Sequence, residues 1–290
     1  MDYSTPKLWT ALITPMNTDG TVDYETLKKL VKEQEAAKNG ILVLGSTGEA
    51  LNLSNDEKKT IYEFVKNLEP TVPLMAGVGG INLEETKKDL AYLEALNYDC
   101  YLMVTPLYAK PGVQGQIQWF TELMNAVTKP VMLYNVPGRT GTSLQREALR
   151  ELKQHPNFWS IKEASGSTEE FSAYVQAVDP APVFSGDDGM LPEYAKIGAK
   201  GLVSVASNAW PCQTNSYVNK TLQGNLDNPH DWKTWSDTLF IASNPIPVKR
   251  LMFENGTLSS PICRAPLTHE EIADATLLNQ TNLTVTNWDR

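Results

Sequence analysis

The sequence predicts a (β/α)8 barrel followed by a helical C-terminal region, and three observations carry that prediction. Eight short apolar runs recur along the first two-thirds of the chain. Stretches of helical period separate them. After about residue 208 the strand signal stops and only helical patterns remain.

The runs fall at residues 8–14, 41–45, 73–79, 101–105, 130–136, 158–164, 182–186 and 201–207. Several are apolar without alternation, as expected of parallel strands covered on both faces. The first helix, 23–37, places Leu27, Leu30 and Val31 on one face. The second, 54–68, opens with Ser54 and Glu57 in a capping-box spacing and carries Ile61, Phe64, Val65 and Leu68. Helices at 82–96, 114–127, 144–154, 168–178 and 190–197 follow in alternation with the strands. Eight such units over about 200–250 residues suit a barrel. A doubly wound sheet shares the alternation; the count of eight, with a strand near each end of the repeat, favours closure. Helices at 212–222, 231–242, 247–254 and 269–278 come next, the first closing the barrel. The division expected is a catalytic barrel over 1–224 and a helical region over 225–290. No Gly/Ser-rich linker precedes that region, so it reads as an appendix to the barrel, and the polar tail 279–290 is expected to fray.

Composition narrows the function. The chain has 290 residues, 41% hydrophobic and 20% charged, with a net charge of -9. An acidic chain without a basic run lacks the footprint of a nucleic-acid or anionic-membrane binder. No apolar run is long enough to span a bilayer. Three cysteines, Cys100, Cys212 and Cys263, form neither a disulfide framework nor a zinc spacing. The opening MDYSTPKLWT has no charged-then-apolar leader pattern, and the cytoplasm is the expected location.

The most informative residue is Lys162, in the middle of the sixth predicted strand. Burial disfavours an ammonium and leaves a neutral amine able to attack a carbonyl carbon. A lone strand lysine is more often an edge residue whose ammonium reaches solvent. The residues at the other strand ends reverse that preference. In such a barrel the active site lies at the C-terminal ends of the strands. Strand two runs into Gly45-Ser46-Thr47-Gly48-Glu49, and strand four into Thr105-Pro106-Leu107-Tyr108. Strand five carries Tyr134-Asn135-Val136-Pro137-Gly138-Arg139-Thr140, strand seven ends at Gly186-Asp187-Asp188, and strand eight runs from Val203 to Asn208. Singly, each has a plainer explanation: a tight turn, a core tyrosine, a solvated arginine. Asp187 and Asp188 do not suggest a metal, because adjacent strand residues face opposite ways and no third ligand is near. Gly77-Val78-Gly79-Gly80 lacks any nucleotide-loop spacing. No cofactor is expected.

Taken together the motifs resemble the dihydrodipicolinate synthase/N-acetylneuraminate lyase family of pyruvate-dependent class I aldolases. The 45–49 turn, the 134–140 segment, Ile161-Lys162-Glu163-Ala164-Ser165, Gly186-Asp187-Asp188 and Asn244-Pro245-Ile246-Pro247-Val248-Lys249 stand in family order. The second and last point to the synthase branch; sialate lyases lack an equivalent of Arg139. Ser46 stands where the synthases usually have Thr, and the hydroxyl is kept.

The resemblance implies a condensation of pyruvate with aspartate-4-semialdehyde through a Schiff base on Lys162. It implies a proton relay of Tyr134, Ser46 and Tyr108, with Tyr108 reaching in from a neighbouring subunit of a dimer of dimers. It gives Thr47 and the backbones of Gly186 and Val203 to the pyruvate end, and Arg139 to the carboxylate of the second substrate. The alternatives are a lyase acting on a sialic or sugar acid and a barrel that binds a 2-keto acid without turnover. Family members inhibited by lysine carry polar and aromatic partners where this chain has Asn55, Lys58, Ile81 and Leu107. The resemblance therefore implies little inhibition by lysine.

Overall fold

A computed structural model describes residues 6–288. Residues 1–5, the start of the segment read for a leader, and 289–290, the end of the tail expected to fray, lie outside the described residues. The first half of the barrel is β1 (Leu8–Ala11), α1 (Tyr24–Ala36), β2 (Gly40–Val43), α2 (Asn55–Asn67), β3 (Leu74–Val78), α3 (Leu83–Leu96), β4 (Cys100–Val104) and α4 (Val113–Asn125). The second half is β5 (Val131–Asn135), α5 (Pro137–Thr140), α6 (Arg146–Leu152), β6 (Phe158–Glu163), α7 (Thr168–Val178), β7 (Val183–Ser185), α8 (Leu191–Lys196) and β8 (Gly201–Ser204). Then come α9 (Pro211–Gln223), α10 (Pro229–Asp237), α11 (Ile246–Glu254) and α12 (Thr276–Asn287).

All strand pairs are parallel, and β8 pairs with β1, so the sheet closes in sequence order. The predicted barrel is the observed fold, and the doubly wound alternative is not. Strand residues alternate between two apolar clusters, as a period of two demands. Inward residues include Trp9, Leu42, Met75, Leu102, Met132, Phe184 and Val203. Outward residues such as Ile41, Val43, Leu133 and Ile161 join the helices in the larger cluster. Trp9, Trp159 and Phe184 meet ring to ring inside the barrel. Two glycines make room for them: a Cβ on Gly40 would lie 2.6 Å from the Trp9 ring, and one on Gly201 2.5 Å from the Phe184 ring.

The capping box at Ser54 and Glu57 is present, each side chain bonded to the other residue's backbone N–H. The observed strands end earlier than the apolar runs: β1 stops at Ala11, before the run's end at 14, and β8 at Ser204, before 207. Apolar sequence continues past the last ladder bond because these strand ends stay buried. The 269–278 helix is not one helix. A short turn covers His269–Glu271, and α12 begins at Thr276. Asp274 accepts from the Thr276 backbone N–H and hydroxyl, a local bond that starts a new helix. Nor does the tail fray over its described length. Leu278, Thr281 and Val285 are buried, and Trp288 packs against Trp232 and Trp235.

The chain beyond Gly224 shares the barrel's outer core: Trp232, Leu239, Ile246, Val248 and Leu251 belong to the same apolar cluster as the strands. Among the described residues no helix is long and apolar enough to cross a membrane.

Candidate active site

β6 delivers Lys162 into the barrel beside Tyr134, its register partner on β5. The lysine is 5% exposed, and its Nζ lies 4.2 Å from the centroid of the Tyr134 ring. β7 makes the space. A Cβ at Gly186 would stand 2.9 Å from Lys162 Cε and 2.6 Å from Ala164 Cβ, so the lysine has this conformation only because residue 186 lacks a side chain. Burial pushes the Lys162 pKa down to about 8; the carboxylates of Asp187 and Asp188 oppose this and do not prevail. At pH 7 about a tenth of such amines are neutral, against roughly one in a thousand or fewer for a free lysine.

The tyrosine is shifted the other way. Burial raises Tyr134 to about 12, with Arg139 and a hydrogen bond to Ser46 pulling it back only in part. It therefore stays a phenol at any physiological pH and can pass protons as one. Burial also raises Asp187 to about 6, while the nearby Lys162 and the Gly166 N–H hold it down. The site thus pairs an amine that gives up its proton easily with a phenol that keeps its own.

Buried polar side chains tie the strand ends together. Asn135 donates to Glu163 at 2.6 Å and accepts from the Leu144 N–H, linking the loops after β5 and β6. Asp188 accepts from the Ser204 hydroxyl and the Val205 N–H, linking β7 to β8. Asn208 accepts from the Ile13 N–H and donates to the Ala11 carbonyl, linking β8 to β1. Sequence reasoning gave none of these a role. Their only signal is position, a polar residue within a few places of a strand's C-terminal end.

The turn after β2 is held from the far end of the chain. Glu49, at a left-handed φ of 56°, forms a fully buried ion pair with Lys249 of α11 at 2.7 Å. Its other oxygen accepts from the Arg264 N–H, and Lys249 also donates to the Thr14 carbonyl. Asn244 donates to the Thr47 hydroxyl oxygen at 2.9 Å, and its carbonyl accepts from Arg139 at 3.1 Å.

A cavity of about 350 Å³ runs from Ser46, Tyr134 and Arg139 outward to Asn55, Lys58 and Tyr92. Lys162 is not in its wall; Tyr134 lines the cavity and touches the lysine.

Of the predicted site residues, Lys162, Tyr134 and Gly186 are in contact, Ser46 lines the cavity with Tyr134, and Asn244 links Thr47 to Arg139. Val203 lies in the barrel interior. Tyr108 is not drawn in. It is 90% exposed on the loop after β4, with φ at 61°.

Comparison with known proteins identifies the family. The chain is 43% identical over 284 residues to a 4-hydroxy-tetrahydrodipicolinate synthase of Francisella tularensis subsp. novicida, covering 97% of this chain and 96% of that one. A protein of the same name from Wolbachia pipientis wMel is 42% identical over 282 residues, with the same shares covered. Among solved structures, a chloride-inhibited dihydrodipicolinate synthase from Acinetobacter baumannii, complexed with pyruvate, superposes with a TM-score of 0.88 at 31% identity, over 96% of this chain and 97% of that one. A dihydrodipicolinate synthase from Cyanidioschyzon merolae with lysine bound gives 0.91 at 29% identity, over 98% and 99%. Residues 5–281 match the dihydrodipicolinate synthetase family, and the chain belongs to it.

Proposed function

We propose that the chain is a 4-hydroxy-tetrahydrodipicolinate synthase, a lyase of the class I aldolase type. It joins pyruvate to L-aspartate-4-semialdehyde in the cytoplasm, on the route to diaminopimelate and lysine. The observation that carries this reading is Lys162, buried against Tyr134 with its pKa near 8.

The neutral amine adds to the pyruvate ketone, and loss of water leaves a protonated imine. That cation is an electron sink, so a methyl proton departs and an enamine forms. The enamine carbon attacks the semialdehyde carbonyl, making the carbon–carbon bond while the aldehyde oxygen takes up a proton. The substrate's own amine then adds to the imine carbon, the ring closes and the lysine leaves as the free amine. Tyr134 ferries the protons with Ser46 and with Tyr108 of a neighbouring subunit. Thr47 and the backbones of Gly186 and Val203 hold the pyruvate end. Arg139 holds the semialdehyde carboxylate through a charge-assisted bond.

The Tyr108 role needs an oligomer, a dimer of dimers in this proposal. Three features support a covered face at that end of the barrel. Tyr108 is exposed on a left-handed backbone, and Leu51 and Ile81 are also exposed large apolar residues.

The test is pyruvate consumption with each candidate aldehyde. Turnover should be rapid with aspartate-4-semialdehyde and negligible with sugar aldehydes. Arg139→Ala should keep imine formation and lose roughly 2–3 kcal/mol of semialdehyde use in kcat/KM. Preference for a sugar aldehyde would overturn the assignment.

A further inference from the structure

The segment before α11 places one asparagine between the two groups given to the two substrates. Asn244 is 6% exposed. Its Nδ2 donates to Thr47 Oγ1 at 2.9 Å, and its backbone carbonyl accepts from Arg139 Nη2 at 3.1 Å. Its Oδ1 is buried without a partner. A threonine hydroxyl has one hydrogen to give and two lone-pair sites. When an amide N–H fills a lone-pair site, the hydroxyl hydrogen turns elsewhere. Among the described residues no protein acceptor takes it, so it is free for a ligand oxygen. The Thr47 bond and the Arg139 bond thus both converge on this one residue.

We propose that Asn244 is a positioning residue. It orients the Thr47 hydroxyl as a donor toward the pyruvate carboxylate through its side chain, and it sets Arg139 through its carbonyl. This rests on the roles proposed above for Thr47 and Arg139. It makes the start of α11 part of substrate recognition, and it predicts two limbs that separate. A side-chain change cuts the Thr47 limb and leaves the carbonyl to Arg139 in place.

The experiment measures two quantities in the wild type, Asn244→Ala, Thr47→Val and the double variant. One is the pyruvate concentration for half-maximal borohydride trapping; the other is the steady-state KM for the semialdehyde. Asn244→Ala should raise the pyruvate value about ten-fold, the scale of one lost hydrogen bond. The semialdehyde KM should move less than about three-fold, because the carbonyl that holds Arg139 remains. Thr47→Val should reproduce the pyruvate shift with Asn244 intact, which covers the case in which Asn244→Ala folds poorly. The double variant should be no worse than either single one. Thermal melts accompany each. Additive losses, or equal losses in kcat, both KM values and melting temperature, would overturn the proposal and leave Asn244 a structural residue. Absence of semialdehyde turnover in the wild type would instead overturn the second-substrate assignment, since the trapping comparison needs pyruvate alone.

Discussion

A lysine taken out of water costs the fold something, and Lys162 is buried in that way. Its pKa falls from 10.5 to about 8 because burial outweighs the two nearby carboxylates. A shift of that size is worth roughly 3 kcal/mol against the folded state wherever both forms would otherwise be charged. The sign follows from proton counts. Between pH 8 and 10.5 the unfolded chain holds the proton and the folded chain has lost it, so stability rises with pH across that window. Below pH 8 the penalty is present in full. Replacing Lys162 with methionine, apolar and close in length, should therefore stabilise the protein at pH 7 by roughly 1–3 kcal/mol while abolishing turnover. The gain should shrink as the pH approaches 10. Urea melts at pH 7 and pH 10 check this; an Lys162→Met protein less stable than wild type at pH 7 would mean the ammonium is well paired.

At the scale of elements, the proposed active site is built by loops that the C-terminal helices hold in place. The turn after β2 carries Ser46 and Thr47, and the buried pair of Glu49 with Lys249 of α11 fastens it. Removing one partner of such a pair strands the other charge in a dry site. Lys249→Ala should cost about 3–5 kcal/mol in stability and weaken pyruvate binding as the turn loosens; Glu49→Gln with Lys249→Met should recover most of the stability. Denaturant titration of the wild type and the two variants decides it, and a double variant no more stable than Lys249→Ala would show that the pair does more than neutralise itself. Much of this level was legible in the sequence. Apolar runs located the strands, and the Ser54–Glu57 spacing located a helix start. The 244–249 segment was legible only as a motif. Its work is done across some 200 positions, from Lys249 to Glu49 and Asn244 to Thr47, and neither periodicity nor spacing encodes such contacts. The break at Asp274 was missed for a different reason: a local side-chain bond overrode a helical pattern.

At the scale of the whole molecule, a single barrel holds Lys162, Thr47 and Arg139, the nucleophile and substrate anchors proposed above, but leaves Tyr108 90% exposed. The assembly should therefore be part of the activity. Light scattering at assay concentration should show a dimer or larger, and Tyr108→Phe should slow turnover without changing that mass. A fully active monomer would remove Tyr108 from the relay. The outer end of the cavity carries Lys58 and Leu107 in its wall. A lysine side chain in the wall opposes a ligand that carries two ammonium groups. A lysine titration of the initial rate should stay flat through the physiological range; saturable inhibition below millimolar would mean a site built from other residues.

The central claim is that Lys162, made nucleophilic by burial, carries pyruvate as an imine. The most direct measurement is borohydride reduction in the presence of pyruvate, followed by peptide mapping. One stable adduct per chain should appear, on Lys162, with a trapping rate that climbs as pH rises through about 8. No adduct should form on Lys162→Ala although the protein stays folded. An adduct that persists in that variant, or one that maps to another lysine, contradicts the account.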